Sequence, residues 1–258
     1  MAKQTCAICG AEINLVQQQK LADGNFICRK NCKSIGVKQF DYVHADLPSV
    51  LAHNDQVTKG TKIFDKYFLP RLTTKDKSMK AERFGDVYVA PDIGLMALAK
   101  TEYKYFIFGK YYPKAVVYRI ADLKDYDEEI VETKGSDGKV TKDNVMRFIF
   151  ANTPGLYTFT TKVGNTKSDE ACVKYFNKLF GIQKTIGNIG NTWKNQINAI
   201  GAMGKALGEA VKSGGEATEE VISAAGDAAD MMNVAIYGDR TALIAAADQT
   251  LAEFEAQG

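Results

Sequence analysis

Thr5-Cys6-Ala7-Ile8-Cys9-Gly10, answered by Ile27-Cys28-Arg29-Lys30-Asn31-Cys32-Lys33, decides how this chain begins to fold. Four of its five cysteines lie in the first 32 residues, as Cys-x2-Cys, 18 intervening residues and Cys-x3-Cys. Zinc takes four soft ligands in a tetrahedron, and thiolates supply them. In the first pair a short loop points both sulfurs inward, and Gly10 permits the turn that follows. Residues 11–27 read as a hairpin with Asp23-Gly24 at its turn. Cys28 and Cys32 are four apart, so one turn of chain puts both on one side. The spacing predicts a treble-clef or zinc-ribbon element over residues 1–45, with Cys6, Cys9, Cys28 and Cys32 as ligands. Four protein ligands leave no open position, so the Zn2+ is expected to be structural rather than catalytic. The competing reading is two pairs of unligated thiols. His44 and His53 follow a complete ligand set and are expected to be solvated or capping side chains.

Downstream, Ile63, Phe64, Tyr67 and Phe68 sit at helical spacing within residues 55–72, and Pro70 is expected to end that helix. A polar stretch, Thr73 to Arg83, carries Lys75, Lys77, Lys80 and Arg83 and reads as an exposed loop. Residues 46–83 are thus expected to form a helical linker.

Strand patterns follow. Phe84–Ala90, Leu95–Ala99, Tyr103–Phe108, Lys114–Ile120, Ile130–Thr133, Asn144–Ala151 and Leu156–Val163 are short, β-branched or aromatic, and separated by turn signals at Pro91-Asp92, Ser136-Asp137-Gly138-Lys139 and Pro154-Gly155. They predict an antiparallel sandwich or barrel. A helix closes the set: Ser168 as N-cap, then Cys172, Tyr175, Phe176, Leu179 and Phe180 on one face, and Gly181 just past its end. Cys172 on that face is expected to be a core residue. The acidic run Asp122, Asp125, Asp127, Glu128, Glu129 and Glu132 fits no EF-hand spacing and reads as a solvated loop face.

Antiparallel strands followed by one amphipathic helix resemble the pleckstrin-homology superfold. Joined to Cys6, Cys9, Cys28 and Cys32, the arrangement over residues 5–181 resembles bacterial proteins that couple a four-cysteine zinc element to a pleckstrin-homology-like domain. The segment Ala115–Asp127 is similar to the strand such domains place before an acidic loop, and Cys28-Arg-Lys-Asn-Cys32 is one residue longer than the plain two-CxxC form. The resemblance implies a pleckstrin-homology-like β domain over residues 84–181, but no activity.

Residues 182–258 differ in composition, with 16 Ala and 10 Gly among 77 residues. Glycine costs about 1 kcal/mol in a helix relative to alanine, so this abundance suggests close helix–helix approach. Three helices are expected. The first carries Ile197, Ile200, Gly204, Leu207 and Val211. The second begins near Thr218, and the third carries Leu243, Ile244, Ala247, Leu251 and Phe254. Together they read as an assembly or partner-binding tail, docked on its own chain, on a copy of itself, on another protein or on a membrane.

The fold class expected is therefore α+β: a small zinc element, a helix-capped antiparallel sandwich or barrel, and an Ala/Gly-rich helical tail. No apolar leader and no uncharged run long enough to span a bilayer occur, which leads to the expectation of a cytoplasmic, membrane-peripheral at most, protein. No Gly-x-Ser-x-Gly, phosphate-loop, dinucleotide or His-Glu-x2-His pattern is present, so a non-enzymatic binding or scaffold role is expected. One alternative is recruitment to an anionic membrane surface through Lys75, Lys77, Lys80 and Arg83. Another is nucleic-acid binding through Lys20, Arg29, Lys30, Lys33 and Lys38. It is disfavoured because residues 1–50 carry 6 basic and 4 acidic side chains, too weak a field. The whole chain's +2 divides into +7 over residues 1–181 and −5 over 182–258.

Overall fold

The computed structural model describes residues 4–103, 111–134, 138–151, 153, 155–163, 166–181 and 240–257. The first two helices expected in the tail, and the strand Tyr103–Phe108 beyond its first residue, lie outside the described residues. The chain is mixed α/β with antiparallel sheets, and it divides into two compact units. One comprises residues 1–126, 145–164 and 242–258; the other comprises 127–144 and 165–241.

In the first unit, two small hairpins come first. β1 (Gln4–Thr5) pairs with β2 (Glu12–Ile13), and β3 (Gln18–Lys20) pairs with β4 (Phe26–Cys28). The expected Asp23-Gly24 turn joins the second pair, and the Asp23 carboxylate accepts the Asn25 N–H at 3.1 Å. These hairpins have a core of their own, in which Ile13, Leu21, Ile27 and Tyr42 pack with Val50 of the next helix.

That helix, α1 (Leu47–Ile63), starts earlier than the hydrophobic period suggested. Asp46 caps it by accepting the Ser49 N–H at 2.9 Å, and Pro48 occupies the first turn, where a missing N–H costs nothing. Pro70 does not end the helical run. A π-helical turn, Phe64–Phe68, widens the chain ahead of it, and α2 (Leu69–Thr73) continues through it. Proline lacks an N–H and clashes with the carbonyl four residues back; the wider turn, in which the Leu69 N–H reaches the Phe64 carbonyl, absorbs both defects. α1 lies directly on the sheet at Gly60, where a Cβ would sit 2.5 Å from the Ala115 carbonyl oxygen.

The main sheet has the order β5 (Glu82–Phe84), β6 (Val87–Ala90), β7 (Leu95–Tyr103), β8 (Tyr111–Arg119). The single strand expected over Phe84–Ala90 is instead a hairpin turning at Gly85-Asp86. Alternation there continues across the turn, which is why the sequence reads as one strand. A second sheet has the order β11 (Thr158–Thr161), β10 (Val140–Phe150), β9 (Leu123–Lys134). β9 takes in the acidic residues from Asp125 to Glu132, with Asp122 in the 3-10 turn just before it, so most of that run is a strand, not a loop: Leu123 and Tyr126 are buried within it. β10 and β11 pair as expected, with Phe148 opposite Phe159.

In the second unit, α3 (Thr166–Phe180) begins two residues before Ser168, so Ser168 lies inside its first turn and is not the cap. Gly181 follows it in a left-handed conformation, φ 66°, as expected. Cys172 is fully buried, and burial pushes its thiol pKa up. Arg240 lies over the Phe180 ring, 4.0 Å from its centroid.

The third expected tail helix is present as α4 (Thr241–Glu255). It packs on its own chain: Ala247, Leu251 and Phe254 join Phe64, Phe68, Ile93 and Leu95 in the first unit's core. Ile244, expected on the apolar face, is exposed. Gly94 lies beneath the Leu243 carbonyl and Ala247, leaving no room for a side chain. Arg119 pairs with Asp248 at 2.8 Å, and Lys66 bonds to Gln257. Among the described residues no helix is long and apolar enough to cross a membrane.

Candidate metal centre

The two hairpins bring Cys6 and Cys9, which follow β1, against Cys28 and Cys32, which end and follow β4. The Gly10 N–H closes the first loop on the Cys6 carbonyl at 2.9 Å, and the Cys6 N–H reaches the Ala11 carbonyl at 2.8 Å. After β4 the Lys33 N–H returns to the Cys28 carbonyl at 3.0 Å, which makes the three-residue spacing a single compact turn.

The four sulfurs all lie within 4.8 Å of one another. Cys6 and Cys32 are 3.7 Å apart, as are Cys9 and Cys28. Four sulfurs bonded to one ion at about 2.3 Å form a tetrahedron with edges of about 3.8 Å. A disulfide would bring two of them to about 2.05 Å. The two 3.7 Å separations exceed a disulfide and are compatible with four thiolates sharing one metal ion such as zinc, and all four cysteines are free thiols.

The electrostatics agree. Burial opposes ionisation of Cys6, but the N–H groups of Cys9, Ile8 and Cys28 point at its sulfur and bring its pKa down to about 6. The Cys28 N–H to Cys6 Sγ distance is 3.3 Å, and the Cys32 N–H meets Cys28 Sγ at the same distance. Cys32 is pushed the other way, first by burial and then by the sulfurs of Cys28, Cys9 and Cys6 around it. Cys6 is thus favoured as a thiolate and Cys32 opposed; a cation bound between them would stabilise the ionised form of both. Cys9 alone is exposed.

α1 supports the site, a contribution with no motif in the sequence. The Asn54 side-chain amide donates to the Cys32 carbonyl at 3.0 Å. His53 is fully buried, so the expectation of a solvated or capping side chain is wrong for it. Its Nε2 accepts the Val37 N–H at 3.1 Å, and its ring stacks on Phe40 at 4.2 Å. Burial lowers its pKa to about 4, the Gln56 bond opposes this, and the Lys114 charge adds to it. His44 is exposed and pairs with Asp41 at 2.6 Å, consistent with the solvated reading.

Lys75, Lys77 and Lys80 lie exposed on the loop between α2 and β5. Arg83 lies in β5, where it stacks over Tyr88, 5.2 Å from the ring centroid, and donates to the Gly85 carbonyl at 2.9 Å. None of the four approaches the cysteine cluster within hydrogen-bonding distance. Of the basic residues near the cysteines, Lys33 is tied to Gln19 at 2.8 Å and lies over the Tyr42 ring, while Arg29 and Lys38 border a cleft shared with Lys114 of β8. Burial, and then the charge of Arg29, lower the Lys33 pKa.

In fold and site, the chain is a mixed α/β protein with a four-cysteine cluster able to bind a metal ion. It matches no family model, no curated protein and no solved structure.

Proposed function

We propose that this protein is a non-enzymatic binding or scaffold protein whose four-cysteine cluster holds a structural Zn2+. The observation that carries this reading is the clustering of the Cys6, Cys9, Cys28 and Cys32 sulfurs within 4.8 Å of one another: four thiolates on one ion would fill its coordination and leave no position for a substrate. Asn54 reaching the Cys32 carbonyl supports a metal that organises the docking of α1 rather than one that reacts. The order of four antiparallel strands, then three, then one helix supports a pleckstrin-homology-like reading of residues 84–181. Self-association or a protein partner is assigned to residues 182–258. Since α4 packs in the core, the assembly role falls on the part of that segment before Arg240. Elemental analysis of protein prepared without chelator tests the zinc; the expected value is about one Zn2+ per chain, and metal-free folded protein would refute it.

A second reading, recruitment to an anionic membrane surface, is favoured by one observation. Lys75, Lys77 and Lys80 share one exposed loop, and none of them has a hydrogen-bond or ion-pair partner among the described residues. Flotation with and without anionic lipid decides it; Lys77→Glu/Lys80→Glu should abolish any binding.

A further inference from the structure

Three separate segments converge on one cleft of about 640 Å3: Arg29 and Lys33 from the turn after β4, Lys38 from the following loop, and Lys114 from β8. That volume lies within the range of small-molecule sites. One carboxylate, Asp41, borders the same cleft, and it is already committed. Its Oδ1 accepts the N–H groups of Val43 and His44 at 3.0 and 3.3 Å, and its Oδ2 meets His44 Nδ1. Lys114 reaches the carbonyls of Ser34 and Gly36. The side chains of Arg29 and Lys38 have neither a hydrogen-bond nor an ion-pair partner among the described residues.

The wall of the cleft is held in place before any ligand arrives. The Tyr42 hydroxyl donates to the Lys33 carbonyl at 3.0 Å, Val37 is pinned on His53, and Phe40 stacks on the same ring. Four cations gathered in a fixed concavity repel one another, and a multivalent anion converts that repulsion into attraction. A guanidinium fork beside ammonium groups matches phosphate oxygens in particular.

We propose that this cleft binds the phosphate group of a small phosphorylated molecule, with Arg29 and Lys38 as its direct contacts and Lys33 and Lys114 completing the field. Nucleic acid fits less well. A Zn2+ held by four thiolates carries a charge of −2, which cancels the +2 of residues 1–50, so no extended positive field remains. A local cluster of cations is sufficient for one phosphate. Disfavouring nucleic acid here rests on the zinc of the proposed function, but phosphate binding at the cleft does not, and the scaffold reading requires no such ligand.

The test is calorimetric titration of the full-length, metal-loaded protein with inorganic phosphate and with AMP at fixed ionic strength. Saturable binding of either probe is expected. Arg29→Ala/Lys38→Ala should weaken it about tenfold or more, and Lys174→Ala/Lys178→Ala, two exposed lysines on α3, should leave it unchanged. Both side chains are exposed and without a hydrogen-bond or ion-pair partner among the described residues, so the double variant should keep its unfolding midpoint and metal content. Tighter binding of AMP than of phosphate assigns the ligand to nucleotides; equal binding assigns it to the phosphate group alone. Absence of saturable heat up to about 10 mM overturns the proposal. So does wild-type affinity in the Arg29→Ala/Lys38→Ala variant, and so does a single-stranded oligonucleotide that binds without competition from either probe.

Discussion

His53 Nε2 accepts the Val37 N–H at 3.1 Å, joining the loop that follows the cysteine hairpins to the middle of α1. Since Nε2 accepts, the ring is neutral with its proton on Nδ1, which faces Gln56 Oε1 at 3.4 Å. The same Gln56 oxygen accepts the Leu156 N–H at 2.9 Å, and the Leu156 carbonyl accepts from the Tyr118 hydroxyl at 2.7 Å. One imidazole thus sits at the head of a hydrogen-bonded series through α1, the chain before β11, and β8.

Protonation of His53 would replace an acceptor with a donor facing the Val37 N–H, in a buried site near the Lys114 charge. Its pKa falls from 6.5 to about 4 in the folded chain. The unfolded chain therefore takes up the proton first, and the stability that the neutral ring provides is complete above pH ~6.5 and is lost as pH falls toward ~4. The shift corresponds to about 3 kcal/mol across that window. Urea unfolding at pH 7.5, 6 and 5, with metal content checked at each, should show a decline that His53→Gln lacks. Parallel pH profiles for the two proteins would refute the assignment.

Metal removal should act first on the hairpins. Cys6→Ser takes away one of four ligands and the acceptor of the Cys28 N–H, so the variant should purify with little zinc. Amide exchange at Cys28 and Cys32 should accelerate by orders of magnitude, since both N–H groups are held by sulfur. The effect should reach Asn54, whose amide is anchored on Cys32, but leave β6 and β7 protected. Wild-type zinc content in Cys6→Ser would contradict a four-cysteine site.

Local chemistry was the most legible part of this sequence. Cys6, Cys9, Cys28 and Cys32 carry their geometry in their spacing, and Asp23-Gly24 carries its turn, because both depend on only a few neighbouring bonds. Pro70 misled because its effect depends on what precedes it: a π turn has no compositional signature, and it removes the clash that a proline rule assumes. His53 and Asn54 were illegible for a different reason. Both lie on a helix whose buried face is set by docking against the loop after the hairpins, a contact across sixteen residues or more that periodicity does not encode. Ile244 shows the same limit, since its exposure follows from which side of α4 meets the sheet.

Gly60 offers a test whose sign is diagnostic. In an ordinary helix interior, glycine to alanine gains about 1 kcal/mol. Here the new Cβ would lie 2.5 Å from the Ala115 carbonyl oxygen and 3.0 Å from the Val117 nitrogen, both backbone atoms that can yield only if the strand moves. Gly60→Ala should therefore destabilise the protein, by about 2 kcal/mol on the scale of overpacked cores. A lower urea midpoint with unchanged zinc content is the expected result; a gain in stability would mean that α1 does not lie on β8 this closely.

Phe180 and Arg240 bracket 59 intervening residues, yet the guanidinium lies 4.0 Å from the ring centroid. Immediately beyond, α4 packs Ala247, Leu251 and Phe254 against Phe64 and Leu95. Removing everything after Gly181 therefore strips a core helix along with the Ala/Gly-rich segment, and it should cost on the order of 4 kcal/mol from the lost apolar burial. Replacing residues 182–239 with a short Gly-Ser linker keeps both α4 and the Phe180–Arg240 contact, and should leave the unfolding midpoint close to that of the full chain. The two deletions separate stability from assembly. If residues 182–239 drive self-association, light scattering should give a monomer for the linker protein and a larger species for the full chain, at equal stability. Equal masses would remove that segment as the assembly element, and an unfolded linker protein would show that it also holds the fold together.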